Sequence, residues 1–234
     1  VFKGKQVVQT FYIQHNYDKW LLKHKDETGF RIKYYKGLGT STKKEAQEYF
    51  SNYENNIIFF NWTDKSKPSL HLAFSKDAVL ERKSWLSSYD PNKVINLENK
   101  NISYTEFVNK ELIHFSNYDV IRSIPSLLDG WKPSQRKAFF ASKNIKKETK
   151  LTDISGIVSS STAYHHGDTS IVGTIIKMSQ NFVGSNNINI LEPNGQFGTR
   201  LKGGKDSASS RYIWTSLNKL ALKIFRRDDN MILN

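Results

Sequence analysis

The sequence predicts a mixed α and β fold, an α/β part followed by a mainly helical winged helix-turn-helix. Three observations predict it. Residues 1–62 alternate between strand and helix signals around a glycine turn. From about residue 104 to Phe182, apolar residues recur at helical spacing. A glycine- and turn-rich stretch, Pro193 to Gly204, then interrupts the helices as a hairpin-like excursion would.

In chain order, Val7 to Ile13 reads as a strand, Asp18 to Lys25 as a short helix and Arg31 to Tyr35 as a second strand. The turn Lys36-Gly37-Leu38-Gly39-Thr40 follows, then a helix opened by the capping box Thr42-x-x-Glu45. Strand, glycine turn and helix in that order form an α/β layer. Ile57 to Trp62 is a further strand. After a polar stretch, Leu70 to Phe74 precedes a helix that Ser75 can cap, with Arg82 and Lys83 beside Trp85 and Leu86. Residues 88–103, with Pro91 and several Asn, read as a linker. Ser103-x-x-Glu106 opens a helix to about His114, and Pro133 suits the first position of a helix through Ser142. Ser170 to Phe182 places Ile171, Val172, Ile175 and Ile176 at helical spacing, Ile188 to Leu191 is a short strand, and a last helix runs from about Thr215 to Phe225.

Composition narrows the function classes. The chain has 234 residues, 38% of them hydrophobic and 13% aromatic, so a packed core is feasible and wholesale disorder is a poor reading. Lys and Arg number 35 against 22 acids, a net charge of +13. A cationic domain accumulates polyanions by releasing their counterions, which puts nucleic acid first among partners. Cysteine is absent, which excludes disulfides, thiolate zinc sites and thiol catalysis. No apolar run reaches membrane-spanning length. The first residues, Val1-Phe2-Lys3, form neither a start nor a signal sequence, and both ends look cut from a longer polypeptide.

Four segments could carry chemistry. The glycines of Lys36 to Thr40 let backbone N–H groups approach an anion at a helix start, although a plain strand–helix turn explains them equally well. From Arg122 to Lys150, eight cations (Arg122, Lys132, Arg136, Lys137, Lys143, Lys146, Lys147, Lys150) face two acids, Asp129 and Glu148. Trp131, Phe139 and Phe140 can anchor that segment while the cations reach phosphates; a solvated helix face is the bland alternative. Tyr164-His165-His166-Gly167-Asp168 precedes a helix. Adjacent histidines seldom face one ion together, so phosphate or base contacts suit them better than a metal. Last comes Gly203-Gly204-Lys205-Asp206-Ser207-Ala208-Ser209-Ser210-Arg211-Tyr212. A phenol, with an ordinary pKa of about 10, needs help to attack a phosphodiester, and an adjacent arginine can stabilise the transition-state charge. With 11 tyrosines in the chain, spacing alone does not raise Tyr212 above a packing role.

An ordered set of motifs does. Tyr34-Tyr35-Lys36-Gly37-Leu38-Gly39-Thr40-Ser41, Arg122-Ser123-Ile124-Pro125, Asp129-Gly130-Trp131-Lys132-Pro133-Ser134-Gln135-Arg136-Lys137, Tyr164 to Asp168, Asn181 to Asn187, Gly195-Gln196-Phe197-Gly198-Thr199-Arg200, Gly203 to Asp206 and Arg211-Tyr212-Ile213 run nearly the length of the chain. In order and content they resemble the eukaryotic kind of type IIA DNA topoisomerase II. Ser134 and Asp168 stand where that family more often has Gly and Glu.

The resemblance implies the C-terminal part of a metal-binding TOPRIM domain at residues 1–62, and a connecting region with a DNA-contacting helix at 63–103. The catalytic, CAP-like winged-helix domain then occupies 104–234. It implies an ATP-dependent isomerase that cuts both strands of duplex DNA through a 5′-phosphotyrosine, passes a second duplex and reseals the first. By resemblance Tyr212 is the nucleophile and Arg211 its transition-state stabiliser, while Arg82, Lys83, Lys132, Tyr164 and Ser170 contact DNA. Arg122, Arg136, His165 and His166 lie in motifs lining the same site. Mg²⁺ and ATP are the implied cofactors. The metal ligands, a glutamate and an Asp-x-Asp pair, and the ATPase domain belong to sequence not found here. The expected partners are double-stranded DNA and a second copy in a homodimer, without a membrane. The expected compartment is the nucleus, a viral or host-cytoplasmic site being the alternative. A DNA-binding module without catalysis is the rival function.

Overall fold

In the computed structural model the described residues are 1–35, 39, 41–96, 99–145, 147–164, 166–226 and 228–229. The chain divides into two compact units, Val1–Asp119 and Val120–Asn234.

The first unit begins with an antiparallel sheet of order β2-β1-β3, from β1 (Phe2–Lys3), β2 (Gln6–Val7) and β3 (Phe30–Arg31), with α1 (Gln14–Lys23) between the last two. The expected strand Val7–Ile13 pairs only at its start. The Val8 and Gln9 N–H groups both turn to the Val1 carbonyl, and the chain then leaves the sheet for α1. That helix is held by rings rather than aliphatic burial: Trp20 stacks on His24 at 4.2 Å and meets the edge of Phe30 at 5.0 Å.

Helix α2 (Lys43–Ser51) starts where the capping box predicts. Thr42 Oγ1 accepts the Glu45 N–H, and the Glu45 carboxylate accepts the Thr42 N–H at 2.7 Å. A short helix α3 (Tyr53–Asn56) leads to β4 (Phe59–Asn61), within the expected strand. Ser75 does not open the following helix but ends α4 (Ser66–Phe74), its N–H bonded to His71 O at 2.9 Å; α5 (Val79–Ser87) begins after Ala78. Strand β5 (Asn101–Ser103) pairs in parallel with β4. Ser103 then caps α6 (Tyr104–Phe107), which passes through a π-helical turn, Val108–Leu112, into α7 (Ile113–Ser123). Trp85, Val108 and Ile113 form this unit's buried cluster, packed by Leu72, Leu86 and Phe107.

The second unit is the predicted winged helix-turn-helix. Helices α8 (Pro133–Ser142), α9 (Leu151–Ser161) and α10 (Asp168–Ser179) pack on one another. The apolar spacing decides their inner faces: Ala138 and Phe139 on α8, Leu151, Ile154 and Val158 on α9, Ile171, Ile175 and Met178 on α10. An antiparallel sheet of order β6-β8-β7 completes the unit, from β6 (Thr149–Lys150), β7 (Leu191–Asn194) and β8 (Trp214–Leu217). The expected helix from Thr215 is therefore a strand for its first turn. Ile213 and Thr215 are fully buried while Trp214 is exposed, a period of two that fits a sheet and not a helix. Only after Asn218, whose side chain accepts the Leu220 N–H at 2.7 Å, does α11 (Lys219–Ile224) form. Among the described residues no helix is long and apolar enough to cross a membrane.

Candidate DNA-cleavage site

In the second unit, Asn194 of β7 pairs with Trp214 of β8, so everything between them is the connection of one hairpin. Four interactions brace that connection. Gln180, buried at the end of α10, donates from Nε2 to the carbonyls of Phe197 and Gly204 at 2.8 and 3.0 Å. The Asp206 carboxylate accepts both the N–H and the hydroxyl of Thr199 at 2.8 Å. The Gly204 N–H closes on Thr199 O, and the Ala208 N–H on Gln196 O. Phe197, 3% exposed, drives the excursion's inner edge into the core. The Thr199 donors hold the Asp206 carboxyl below its usual value.

Glycine is required here by contact. At Gly198 (φ +104°) a Cβ would sit 2.7 Å from Gly204 Cα and O, and at Gly195 (φ +110°) 2.9 Å from Ile213 Cγ2. The backbone of the excursion thus lies directly against Ile213, the residue after the candidate nucleophile.

Tyr212 ends a 3₁₀ turn, Ser210–Tyr212, closed by its own N–H on Ser209 O at 2.9 Å. The turn rests on α9 and β6. Its neighbour Ile213 is fully buried and accepts the Leu151 N–H at 3.1 Å. Tyr212 itself is 65% exposed, with its ring 5.8 Å from the Arg211 guanidinium. A buried anchor on one side and a braced glycine loop on the other hold a solvent-facing phenol beside an exposed cation. That arrangement can present the phenol to a bulky substrate and stabilise charge on it. Lys150, opposite Trp214 in the sheet, adds a second cation, its Nζ 5.7 Å from the Trp214 ring.

The other expected DNA contacts separate by what holds them. Within the second unit, Tyr164 is buried and its hydroxyl donates to Ser170 Oγ at 3.0 Å, tying the turn before α10 to that helix's exposed first turn. His166 meets the Tyr164 ring edge-on at 5.3 Å. His165 lies outside the described residues, as do Lys146 and all of Lys36 to Thr40 except Gly39. Lys132 is the N-cap of α8, its N–H donating to Gln135 Oε1 at 2.8 Å. Arg136 is committed to Asp129 at 2.6 Å and steadies the turn that leads into α8. Arg122 is half-buried in the last turn of α7.

In the first unit, Arg82 and Lys83 differ although adjacent. Arg82 donates to the carbonyls of Leu72, Ala73 and Ser75 at 2.8, 3.1 and 2.7 Å, capping the C-terminus of α4, whereas Lys83 is exposed. Gln180, Asp206 and Lys150 were not singled out from the sequence for the site. The only trace was Gln180 at the polar end of an apolar helix face. Among the described residues no three or more His, Asp or Glu side chains gather to hold a metal ion. The donor set therefore does not fit Mg²⁺, and no step is routed through one.

Comparison with known proteins defines the class. Residues 1–120 match the family model for the C-terminal associated domain of TOPRIM, and residues 122–234 match that for DNA gyrase/topoisomerase IV. The chain is a piece of DNA topoisomerase architecture. It is 49% identical over 236 residues to DNA topoisomerase 2 of Arabidopsis thaliana, covering 99% of this chain and 16% of that protein. With DNA topoisomerase 2 of Saccharomyces cerevisiae it shares 49% identity over 223 residues, covering 94% of this chain and 16% of the relative. A crystal structure of the Plasmodium falciparum topoisomerase II DNA-binding, cleavage and re-ligation domain superposes with a TM-score of 0.81 at 45% identity, over 100% of this chain and 32% of that one. The chain belongs to the type IIA DNA topoisomerase II family of the eukaryotic kind. It spans 16% of the length of the Arabidopsis relative, so it corresponds to a small part of such a protein.

Proposed function

We propose that this chain forms the strand-cutting part of an ATP-dependent type II DNA topoisomerase, with Tyr212 as nucleophile. The observation that carries the reading is the solvent-facing Tyr212 phenol, held beside Arg211 between buried Ile213 and a braced glycine loop.

In the proposed step, the Tyr212 hydroxyl oxygen attacks a backbone phosphorus of duplex DNA. The Oη–P bond forms as the P–O3′ bond breaks, and the phenolic proton is balanced by the one the 3′-oxygen gains. The enzyme then holds the 5′ phosphate as a tyrosine ester, and reversal reseals the strand without a further energy source. Arg211 stabilises the extra negative charge on the phosphate in transit. Lys83, Lys132, Ser170, Tyr164, Arg122, His165 and His166 serve DNA binding. Arg82 and Arg136 act there through the turns they hold. Two copies in a homodimer would cut opposite strands, so that a second duplex can pass. Mg²⁺ ligation and ATP hydrolysis are assigned to parts of the longer protein outside these residues, and residues 1–62 to the tail of its TOPRIM domain. The nucleus is the proposed compartment. A Dictyostelium discoideum relative, 47% identical, is named mitochondrial, so tagged full-length protein should be localised directly.

Tyr212→Phe in the complete enzyme removes the attacking oxygen and little else. Covalent protein–DNA complexes trapped by denaturant should disappear while duplex binding persists. Complexes of undiminished yield in that variant overturn the assignment.

A further inference from the structure

The excursion that carries Tyr212 has a second outward feature at its tip. Phe197 to Asp206 is closed on itself by the Gln180, Thr199 and Asp206 hydrogen bonds, and its outermost piece is the 3₁₀ turn Arg200–Lys202. Gly203 follows in the left-handed conformation at φ 59°, its N–H returning to Arg200 O at 3.1 Å, and the Lys205 N–H returns to Lys202 O at 3.2 Å. Leu201, at the centre, is 89% exposed.

A single exposed leucine is ordinary on a protein surface. This one differs in being held by a braced turn between cations. A 3₁₀ helix has three residues per turn, so successive side chains fan about 120° apart, and Arg200 and Lys202 diverge to either side of Leu201. Arg200, Lys202 and Lys205 are all exposed, while Asp206, the acid of this segment, is committed inward to Thr199. The turn at Leu127 and Leu128, 100% and 94% exposed, is the useful contrast. Its cation Arg136 is paired with Asp129, so it offers apolar surface without free charge.

We propose that the Arg200-Leu201-Lys202 tip docks in the minor groove of duplex DNA. Leu201 packs on sugars and the groove floor, and the two cations reach the phosphates on either side, so Leu201 helps decide where along the duplex the cut falls. The minor groove is about 6 Å wide against about 12 Å for the major, so only there can one leucine fill the space while its neighbours reach both backbones. A contact of this kind reads groove width rather than base identity. The inference rests on the reading of Tyr212 as the cutting residue of the same excursion.

The test uses the complete enzyme and a short duplex, with Kd measured against salt concentration and cut positions mapped. Leu201→Ala should weaken binding about tenfold at every salt concentration, the order expected on losing a buried leucine contact, and should redistribute the cuts. Its log Kd against log salt slope should stay at the wild-type value. Lys202→Ala should instead reduce that slope by about 0.9, the signature of one lost phosphate contact. Leu201→Met, which keeps apolar volume, should retain the wild-type cut map. Wild-type affinity and cut map in Leu201→Ala overturn the proposal. So does a Leu201→Ala variant whose defect lies in dimer assembly by sedimentation with duplex binding intact, since Leu201 then packs on protein. Should wild-type enzyme form no covalent complexes at all, the Tyr212 reading falls, while the salt-resolved binding data still judge Leu201.

Discussion

At the scale of single residues, the candidate site depends more on what surrounds Tyr212 than on the tyrosine. Gly198 illustrates this. Its φ of +104° and the 2.7 Å approach to Gly204 leave no room for a methyl group. Gly198→Ala should cost about 1–3 kcal/mol in stability, the order of a forced backbone outlier, read from the denaturant midpoint. The same variant should reduce DNA cleavage more than DNA binding, because it loosens the loop that positions the Tyr212 turn. Unchanged stability in this variant would count against the braced geometry. Tyr212, Arg211 and the glycines were legible in the sequence as an ordered motif. Gln180 and Asp206 were not, because their partners lie across the chain or the loop: Gln180 binds backbone carbonyls with no sequence signature, and Asp206 turns inward to Thr199.

At the scale of elements, Arg82 and Lys83 were expected to act as a pair, and their surroundings divide them. Three carbonyl hydrogen bonds make Arg82 the cap of α4, a geometry that uses the planar fork of a guanidinium and that lysine cannot reproduce. Arg82→Lys should therefore lower the denaturation midpoint, with a loss of about 1–3 kcal/mol for the buried carbonyls left short of donors. Lys83→Ala should leave stability nearly unchanged and weaken duplex binding, lowering the salt slope by about 0.9 if it contacts one phosphate. Equal effects of the two variants on the salt slope would restore the pair. Helix starts were the most legible features: Thr42, Ser103 and Pro133 each open the helix they predict, because a cap is a local arrangement of three or four residues. The Trp214–Leu217 strand was missed because a short strand depends on partners far away in sequence, here Lys150 and Leu191 to Asn194.

At the scale of the whole molecule, a carboxylate closes a loop in each unit. Glu45 receives Lys33, the Thr42 N–H and the Tyr35 hydroxyl, and so ties together the two flanks of the Lys36 to Thr40 turn. Those bonds, Lys33 foremost, lower its pKa from 4.5 to about 2, and Asp206 is likewise lowered by Thr199. A carboxyl lowered in the folded state stabilises it above the unfolded pKa and loses that contribution as pH falls through the folded value. Stability should thus be level near neutrality and decline from about pH 4.5 towards about 2 as Glu45 takes up its proton. Glu45→Gln should lower stability at pH 7 and flatten the decline across that window, measured by denaturant midpoints at stepped pH. An acid limb identical to wild type would show that Glu45 does not carry it.

The sequence by itself determined the family, the mixed α and β class, the cationic surface suited to DNA, and the identity of the candidate nucleophile. Each of these depends on residue type and on spacing along the chain. Only the tertiary structure decided which cations are committed and which are exposed. It brought Gln180 and Asp206 to brace the glycine loop, and it placed Leu201 at a cationic tip on the excursion that carries Tyr212. The physical reason is range: helix caps and apolar periods are local and written in consecutive residues, whereas the partner of a hydrogen bond or the exposure of a side chain depends on chain segments that meet only on folding.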